Sequence, residues 1–242
     1  MLTVSARPCS TLAPTAVVKL GGSLLDLPDL AQRLDQLRPE WGLRPLMIVG
    51  GGAAADLVRA WDQLYGLGEE RAHWLALDSL ALTARLLATL WPATCVARRG
   101  EYEAVWGEGR VPLVNAWEWF EASLAEQAPA PPHTWETTTD TIAAWIAAIT
   151  GAESLWLLKS VPGPASIAEA TEWETVDPQF AAWVPAHRPI HWVNLRVNLG
   201  FTTLGRARLQ PSRSCESTPP LARGSAGASP SRVTTHEPHP ER

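Results

Sequence analysis

The chain is poor in cysteine, lysine, phenylalanine and tyrosine, and it has no surplus of positive charge. Its three cysteines, Cys9, Cys95 and Cys215, lie far apart and form no Cys-x-x-Cys pair. That excludes a zinc ribbon and a disulfide framework, leaves no metal-ligand cluster to expect, and fits a reducing, cytoplasmic setting. Lys and Arg number 20 against 25 Asp and Glu, a formal net charge of −5. A protein that gripped nucleic acid by neutralising phosphates would carry a basic excess or patch, so no nucleic-acid partner is expected. No uninterrupted apolar run reaches the roughly 18 residues that span a bilayer, and no basic flank followed by an apolar core marks the N-terminus. A soluble protein with no membrane partner is expected.

Tryptophan is abundant instead, with 13 residues against 3 Phe and 2 Tyr. The tryptophans are scattered rather than gathered into a stacking platform, so they read as large core residues standing in for others. With 46% hydrophobic residues, 242 residues suffice for one large α/β domain or two small ones with a real core.

The stretch that organises the chain is Val17-Val18-Lys19-Leu20-Gly21-Gly22-Ser23-Leu24. Val17 and Val18 read as a buried strand, and Gly21-Gly22-Ser23 as a turn that lets backbone N–H groups approach a ligand closely. A turn feeding a helix makes an anion site, and Lys19 adds a full charge beside it. Taken alone, Lys-x-Gly-Gly-Ser fits a plain tight turn equally well. A second unit, Leu46-Met47-Ile48-Val49-Gly50-Gly51-Gly52 followed by Ala53 to Asp56, repeats the order of strand, glycine cluster and helix start. Neither is a Walker A loop or a clean Gly-x-Gly-x-x-Gly fingerprint.

Between the two units, Leu24, Leu27, Leu30, Leu34 and Leu37 recur at helical spacing, and Pro39 with Trp41-Gly42 closes that helix before a strand from about Pro45. Strand, helix and strand with short links make a parallel βαβ unit, which sets both glycine turns at one carboxyl edge of the sheet. A helix over Ala54 to Tyr65, a turn at Gly66 to Gly68 and a long helix over Arg71 to Leu90 follow. His73, inside that last helix, is either a satisfied core residue or a functional one. Strands are expected at Ala93 to Ala97 and Val111 to Val114 with a polar turn region between them, then a short helix over Trp117 to Ala125.

The proline-rich Pro129 to Pro132 leads into His133-Thr134-Trp135-Glu136-Thr137-Thr138-Thr139-Asp140-Thr141, ahead of an alanine-rich buried helix over Ile142 to Ile149. Thr139 or Asp140 suits a helix N-cap, yet a cap needs one such side chain rather than four in series. Ser154 to Leu158 reads as a strand running into Lys159-Ser160-Val161-Pro162-Gly163. Lys159 is either a snorkelling surface residue or a phosphate ligand; lysine is rare here, and Lys19 and Lys159 both end predicted strands. A short helix begins at Asp177, and His191 to Leu195 reads as a last strand. Met1 to Thr15 is a lead-in, residues 16–205 form the folded domain, and the Ser-, Pro- and Arg-rich segment from Arg206 to Arg242 is expected to be disordered.

In order and spacing, Val18-Lys19-Leu20-Gly21-Gly22-Ser23, Val49-Gly50-Gly51-Gly52 with Ala55-Asp56, Thr139-Asp140-Thr141-Ile142-Ala143-Ala144 and Leu157-Leu158-Lys159-Ser160-Val161-Pro162-Gly163 resemble the amino acid kinase (aspartate/glutamate/uridylate kinase) family, over about Ala16 to Asn194. Within it, Ala72-His73-Trp74-Leu75-Ala76 and His133 to Asp140 look most like the branch that phosphorylates aminomethylfuranylmethyl phosphate in methanofuran biosynthesis. The resemblance implies an α/β fold, a three-layer αβα sandwich with a mainly parallel central sheet, and an ATP-dependent small-molecule kinase using Mg²⁺ on a small anionic acceptor. A homo-oligomer is expected.

The resemblance also implies roles. Gly21, Gly22, Gly50 and Gly51 would give amide N–H groups to the transferring phosphates, with Ser23, Gly52, Thr139, Ser160 and Gly163 completing the phosphate and nucleotide contacts. Lys19 would neutralise charge, Asp140 would orient the lysines, and Lys159 would be the second lysine. His73 and His133 would border the acceptor pocket, with Asp56, Thr137 and Thr138 as further substrate contacts.

Two departures stand out. Ser160-Val161-Pro162-Gly163 replaces the family's usual Asp-Val-Asp-Gly, removing both acids near the nucleotide, and the segment after Asn194 lacks the usual glycine and closing strand. The competing reading is a non-catalytic nucleotide- or metabolite-binding protein on the same scaffold. A dinucleotide-dependent oxidoreductase is disfavoured, because no acid follows a Gly-x-Gly-x-x-Gly turn by about 20 residues.

Overall fold

Ala16–Leu20 forms the first strand, β1, buried along its whole length. Its side chains feed two cores: Val17 packs on one face of the sheet, and Ala16, Val18 and Leu20 on the other. A strand apolar on both faces belongs in the middle of a covered parallel sheet. The computed structural model describes residues 12–205, apart from 186 and 198. Most of the expected lead-in, the whole tail from Arg206, and Cys9 and Cys215 lie outside the described residues.

β2 (Pro45–Val49), β3 (Thr94–Ala97), β4 (Val111–Val114), β5 (Leu155–Lys159), β6 (Ile190–Asn194) and β7 (Phe201–Thr203) join β1 in a sheet of order β3-β4-β2-β1-β5-β6-β7. Every neighbouring pair is parallel except β6 and β7. Helices cover both faces. On one, α1 (Leu30–Leu37) turns Leu30, Leu34 and Leu37 into the core with Trp41 and Trp91. On the other, α6 (Thr139–Thr150) buries Ile142, Trp145 and Ile146, where each isoleucine contributes roughly 1.5–3 kcal/mol. α2 (Gly52–Tyr65) and α3 (Glu69–Leu90) pack as a pair, and α5 (Ala116–Glu126) lies against α3. Trp41, Trp91, Trp119, Trp145, Trp156 and Trp192 are all buried, the role read for them from their scatter.

From β1 the chain passes to β2 and then to the edge strand β3, comes back to insert β4 between them, and next places β5 on the other side of β1. That reversal puts the carboxyl ends of β2, β1 and β5 around one crevice, where open parallel sheets bind ligands.

Several elements differ from expectation. The helix expected from Leu24 starts only at Leu30, because Gly22–Leu24 closes a single 3₁₀ turn and Pro28 has no N–H to continue it. The polar region before β4 contains a helix, α4 (Tyr102–Gly107), which buries Tyr102 and Val105. An unexpected short helix follows β5, α7 (Ile167–Glu172), whereas the short helix expected from Asp177 is present as α8 (Phe180–Trp183). The expectation of no closing strand is corrected by β7, which pairs antiparallel with β6 through His191–Thr203 and Val193–Phe201.

Candidate active site

β1 and β2 run parallel with Leu20 opposite Val49, so their glycine clusters leave the sheet side by side. The Gly21 N–H donates to the Leu158 carbonyl at 2.9 Å, and the Gly50 N–H donates to that of Leu20 at 2.8 Å. These two donors, expected for phosphates, are spent extending the sheet ladder. The N–H groups of Gly22, Gly51 and Gly52 take no such bond among the described residues, so the free donors sit one step further along each loop. From behind, the Arg196 guanidinium donates to the Ser23 carbonyl and to Asp26, both at 2.6 Å. Ser23 and Ser160 share a hydroxyl hydrogen bond of 3.0 Å, which ties the first glycine turn to the loop after β5.

α6 starts at the same edge. Thr138 is its N-cap, its hydroxyl oxygen accepting from the Asp140 N–H at 3.3 Å. At its second residue, Asp140 meets both lysines of the chain: Lys19 Nζ lies 2.9 Å from Oδ1 and Lys159 Nζ 2.6 Å from Oδ2. Lys159 also donates to the Thr175 carbonyl at 2.6 Å and lies 5.4 Å over the Trp192 ring. All three side chains are buried, at 6% exposure for Lys19, 4% for Asp140 and 9% for Lys159. Burial works to raise the Asp140 carboxyl, but the charges of Lys159 and Lys19 and their hydrogen bonds hold it below the usual carboxylate range. Burial, with the charge of Lys19, pushes Lys159 down to about 8 against the opposing pull of Asp140. Two cations sharing one anion leave a net positive charge in a poorly solvated place, which a phosphate would neutralise.

A cavity of about 210 Å³ opens at the glycine loops. Among the expected residues, Lys19, Gly22, Ser23, Gly50, Gly51, Gly52, Asp56, His73, Thr137, Thr138 and Thr139 line it. Asp140 and Lys159 line a second hollow of about 500 Å³, which shares Thr138 and Trp135 with the first. His133 lines neither; its ring stacks on His73 at 4.8 Å, and its Nδ1 lies 3.0 Å from Glu70. Gly163 lines neither hollow, and a Cβ there would lie 2.8 Å from the Trp192 ring and 2.9 Å from Thr202 Oγ1, so close packing against β6 and β7 requires a glycine at this position.

The amino acid kinase family profile matches residues 14–163. The chain belongs to the amino acid kinase family. The uridylate kinase of Archaeoglobus fulgidus superposes with a TM-score of 0.53 at 18% identity, covering 74% of this chain and 90% of that one. The UMP kinase of Ureaplasma parvum gives 0.50 at 14% identity, covering 80% and 97%. These likenesses show the fold, a mixed α/β architecture on a mostly parallel sheet. No curated protein matches the chain. Family membership supports a phosphotransferase, a kinase on this scaffold.

Some residues of this candidate site were not singled out in the sequence. Asp177, 7% exposed, accepts at Oδ2 from the Thr138 N–H, the Thr138 hydroxyl and the Thr141 N–H at 3.0, 2.6 and 3.1 Å, and at Oδ1 from the Thr141 hydroxyl and the Gln179 N–H. It therefore fixes the turn that carries Asp140. Arg59 lines the small cavity, pairs with Asp56 at 2.8 Å and lies 4.9 Å over the Trp135 ring. The segment around Trp135 is pinned over α2 and α3, its backbone N–H donating to Glu69 at 2.8 Å and its indole to Asp62 at 2.7 Å.

The donors do not fit a resident Mg²⁺. Among the described residues no group of three His, Cys, Asp or Glu side chains could hold a metal ion. Both Asp140 oxygens face ammonium groups, and Ser160 and Pro162 stand where acids would be needed.

Proposed function

We propose that the protein is an ATP-dependent kinase that moves the γ-phosphoryl group to a small anionic acceptor seated in the glycine-lined cavity. The acceptor is a phosphate monoester such as the furan phosphate of methanofuran-type one-carbon carrier biosynthesis. The observation that carries this reading is the Lys19–Asp140–Lys159 triad, set beside the free N–H groups of Gly22, Gly51 and Gly52. Mg-ATP enters as a substrate.

Phosphoryl transfer asks for alignment and charge neutralisation more than for covalent help. A monoester oxygen is already anionic near neutral pH, so it attacks the γ-phosphorus without a general base. The new O–P bond forms as the bond to the ADP oxygen breaks, and the product is a diphosphate. Two anions must meet for this, and the two ammonium groups with the loop amides offset their repulsion. Asp140 holds both lysines to that point. The structural neighbours are described as uridylate kinases. Here the cavity of about 210 Å³ is smaller than the roughly 300–1,000 Å³ of common ligand pockets, which favours an acceptor smaller than a nucleotide.

The test is calorimetry with Mg-ATP, followed by an ADP-release assay over small phosphate monoesters that include aminomethylfuranylmethyl phosphate. Saturable ADP release with one of them supports the kinase. Mg-ATP binding without turnover on any acceptor favours the second reading, a non-catalytic nucleotide-binding protein, which the missing acids at Ser160 and Pro162 motivate.

A further inference from the structure

Two residues that line the small cavity each carry a buried polar atom without a partner among the described residues. His73 lines it at 4% exposure, and its Nε2 is sealed from solvent without a partner among the described residues. Thr134 lines it too, and its Oγ1 is likewise buried and unpartnered. Ring packing accounts for the position of the imidazole but not for its nitrogen: His133 stacks on it at 4.8 Å and Phe120 meets it edge-on at 5.0 Å. Buried polar atoms are nearly always bonded, so two orphans in one cavity point to a ligand group.

The protonation state narrows that group. Burial first, then the neighbouring His133, pushes the His73 ring down to about 4, so it is neutral at physiological pH. The Thr134 backbone beside the ring opposes this shift. A neutral imidazole keeps one bare nitrogen, and with its proton on Nδ1 the unpartnered Nε2 presents that lone pair.

We infer, on the kinase reading above, that the phosphoryl acceptor carries a hydrogen-bond donor, a hydroxyl or an amine, away from its phosphate, and that His73 Nε2 and Thr134 Oγ1 receive it. The glycine loops and lysines then hold the anionic end, while the His73–Thr134 pair selects the other. A site built to bond such a group rejects analogues that lack it, because its own atoms stay unpaired.

A matched pair of probes tests this. 3-Hydroxypropyl phosphate and n-butyl phosphate have equal length and differ only in OH for CH₃; their affinities are measured by calorimetry on the full chain with Mg-ADP present. The hydroxy compound should bind at least about tenfold more tightly. His73→Phe keeps the ring stack and Thr134→Val keeps the shape, and each should shrink the preference below about threefold with Mg-ATP affinity unchanged. Thr134→Val carries the test alone if His73→Phe does not fold. Equal affinity for the two probes in the wild type, or an undiminished preference in the folded variants, overturns the recognition and leaves the kinase standing. Binding of Mg-ATP with no binding of either probe removes the acceptor pocket and this inference with it.

Discussion

Gly22 and Gly52 meet backbone to backbone: a Cβ on Gly22 would lie 2.2 Å from the Gly52 nitrogen and 2.6 Å from its Cα. Neither atom is a flexible side-chain end, so nothing can give way cheaply. Gly22→Ala should therefore destabilise the protein by at least the roughly 1–3 kcal/mol of ordinary overpacking, with turnover lost in whatever remains folded. A thermal melt coincident with the wild type would show that the two glycine loops do not abut.

Substitutions at Lys19 and Asp140 should have separable effects. Lys19→Ala leaves Asp140 paired with Lys159, so the fold should hold while turnover drops by two or more orders of magnitude, about what one charged transition-state contact supplies. Asp140→Asn keeps the shape but strands two ammonium groups without an anion, and should lower both turnover and melting temperature. Wild-type turnover in Lys19→Ala would remove that residue from the mechanism.

Lys159 should give activity and stability opposite pH trends. Burial, reinforced by Lys19, pushes its pKa from the usual 10.5 to about 8 in the folded protein. As pH rises through about 8 the ammonium loses its proton and kcat/KM should fall. Between about 8 and 10.5 the unfolded chain still holds that proton, so it binds more protons than the native state, and stability from this group rises with pH. Parallel pH series of turnover and thermal melting check both signs. A Lys159→Arg variant that retains turnover should lose the alkaline fall in rate.

The meeting of Lys19 and Lys159 was legible because each ends a buried strand, and parallel strands joined by right-handed crossovers send their carboxyl ends to one edge. Which glycine N–H groups remain free was not legible, since that depends on the ladder running one residue past the strands, from Gly21 to Leu158 and from Gly50 to Leu20. Gly163 follows a motif lysine by four residues, and its close packing against Trp192 is a tertiary constraint that no local pattern announces. α4 hides because only Tyr102 and Val105 face inward from a charged segment. α7 was readable in principle: Ser166 and Glu169 have capping-box spacing, the Ser166 hydroxyl accepting from the Glu169 N–H while the Glu169 carboxylate reaches one residue further back, to the Ala165 N–H. β7 has three exposed residues and no alternation to find.

Asp177 illustrates the limit most sharply, since it caps a helix that starts 38 residues earlier and no local pattern announces the pairing. Its carboxylate gathers the N–H and hydroxyl of both Thr138 and Thr141 together with the Gln179 N–H. Asn offers one oxygen where Asp offers two, and turns an NH₂ toward donors. Asp177→Asn should leave at least one buried donor unpaired, at about 1–3 kcal/mol, and let the Thr138–Thr141 turn relax. Because Asp140 rides on that turn, its aim between the lysines loosens, and kcat should fall about tenfold or more while KM for the acceptor changes little. The alkaline limb of the pH profile should shift as well, because Lys159 loses part of the anion that opposes its desolvation. A variant that melts earlier but keeps the wild-type kcat and pH profile would mean that Asp177 supports the fold and nothing more.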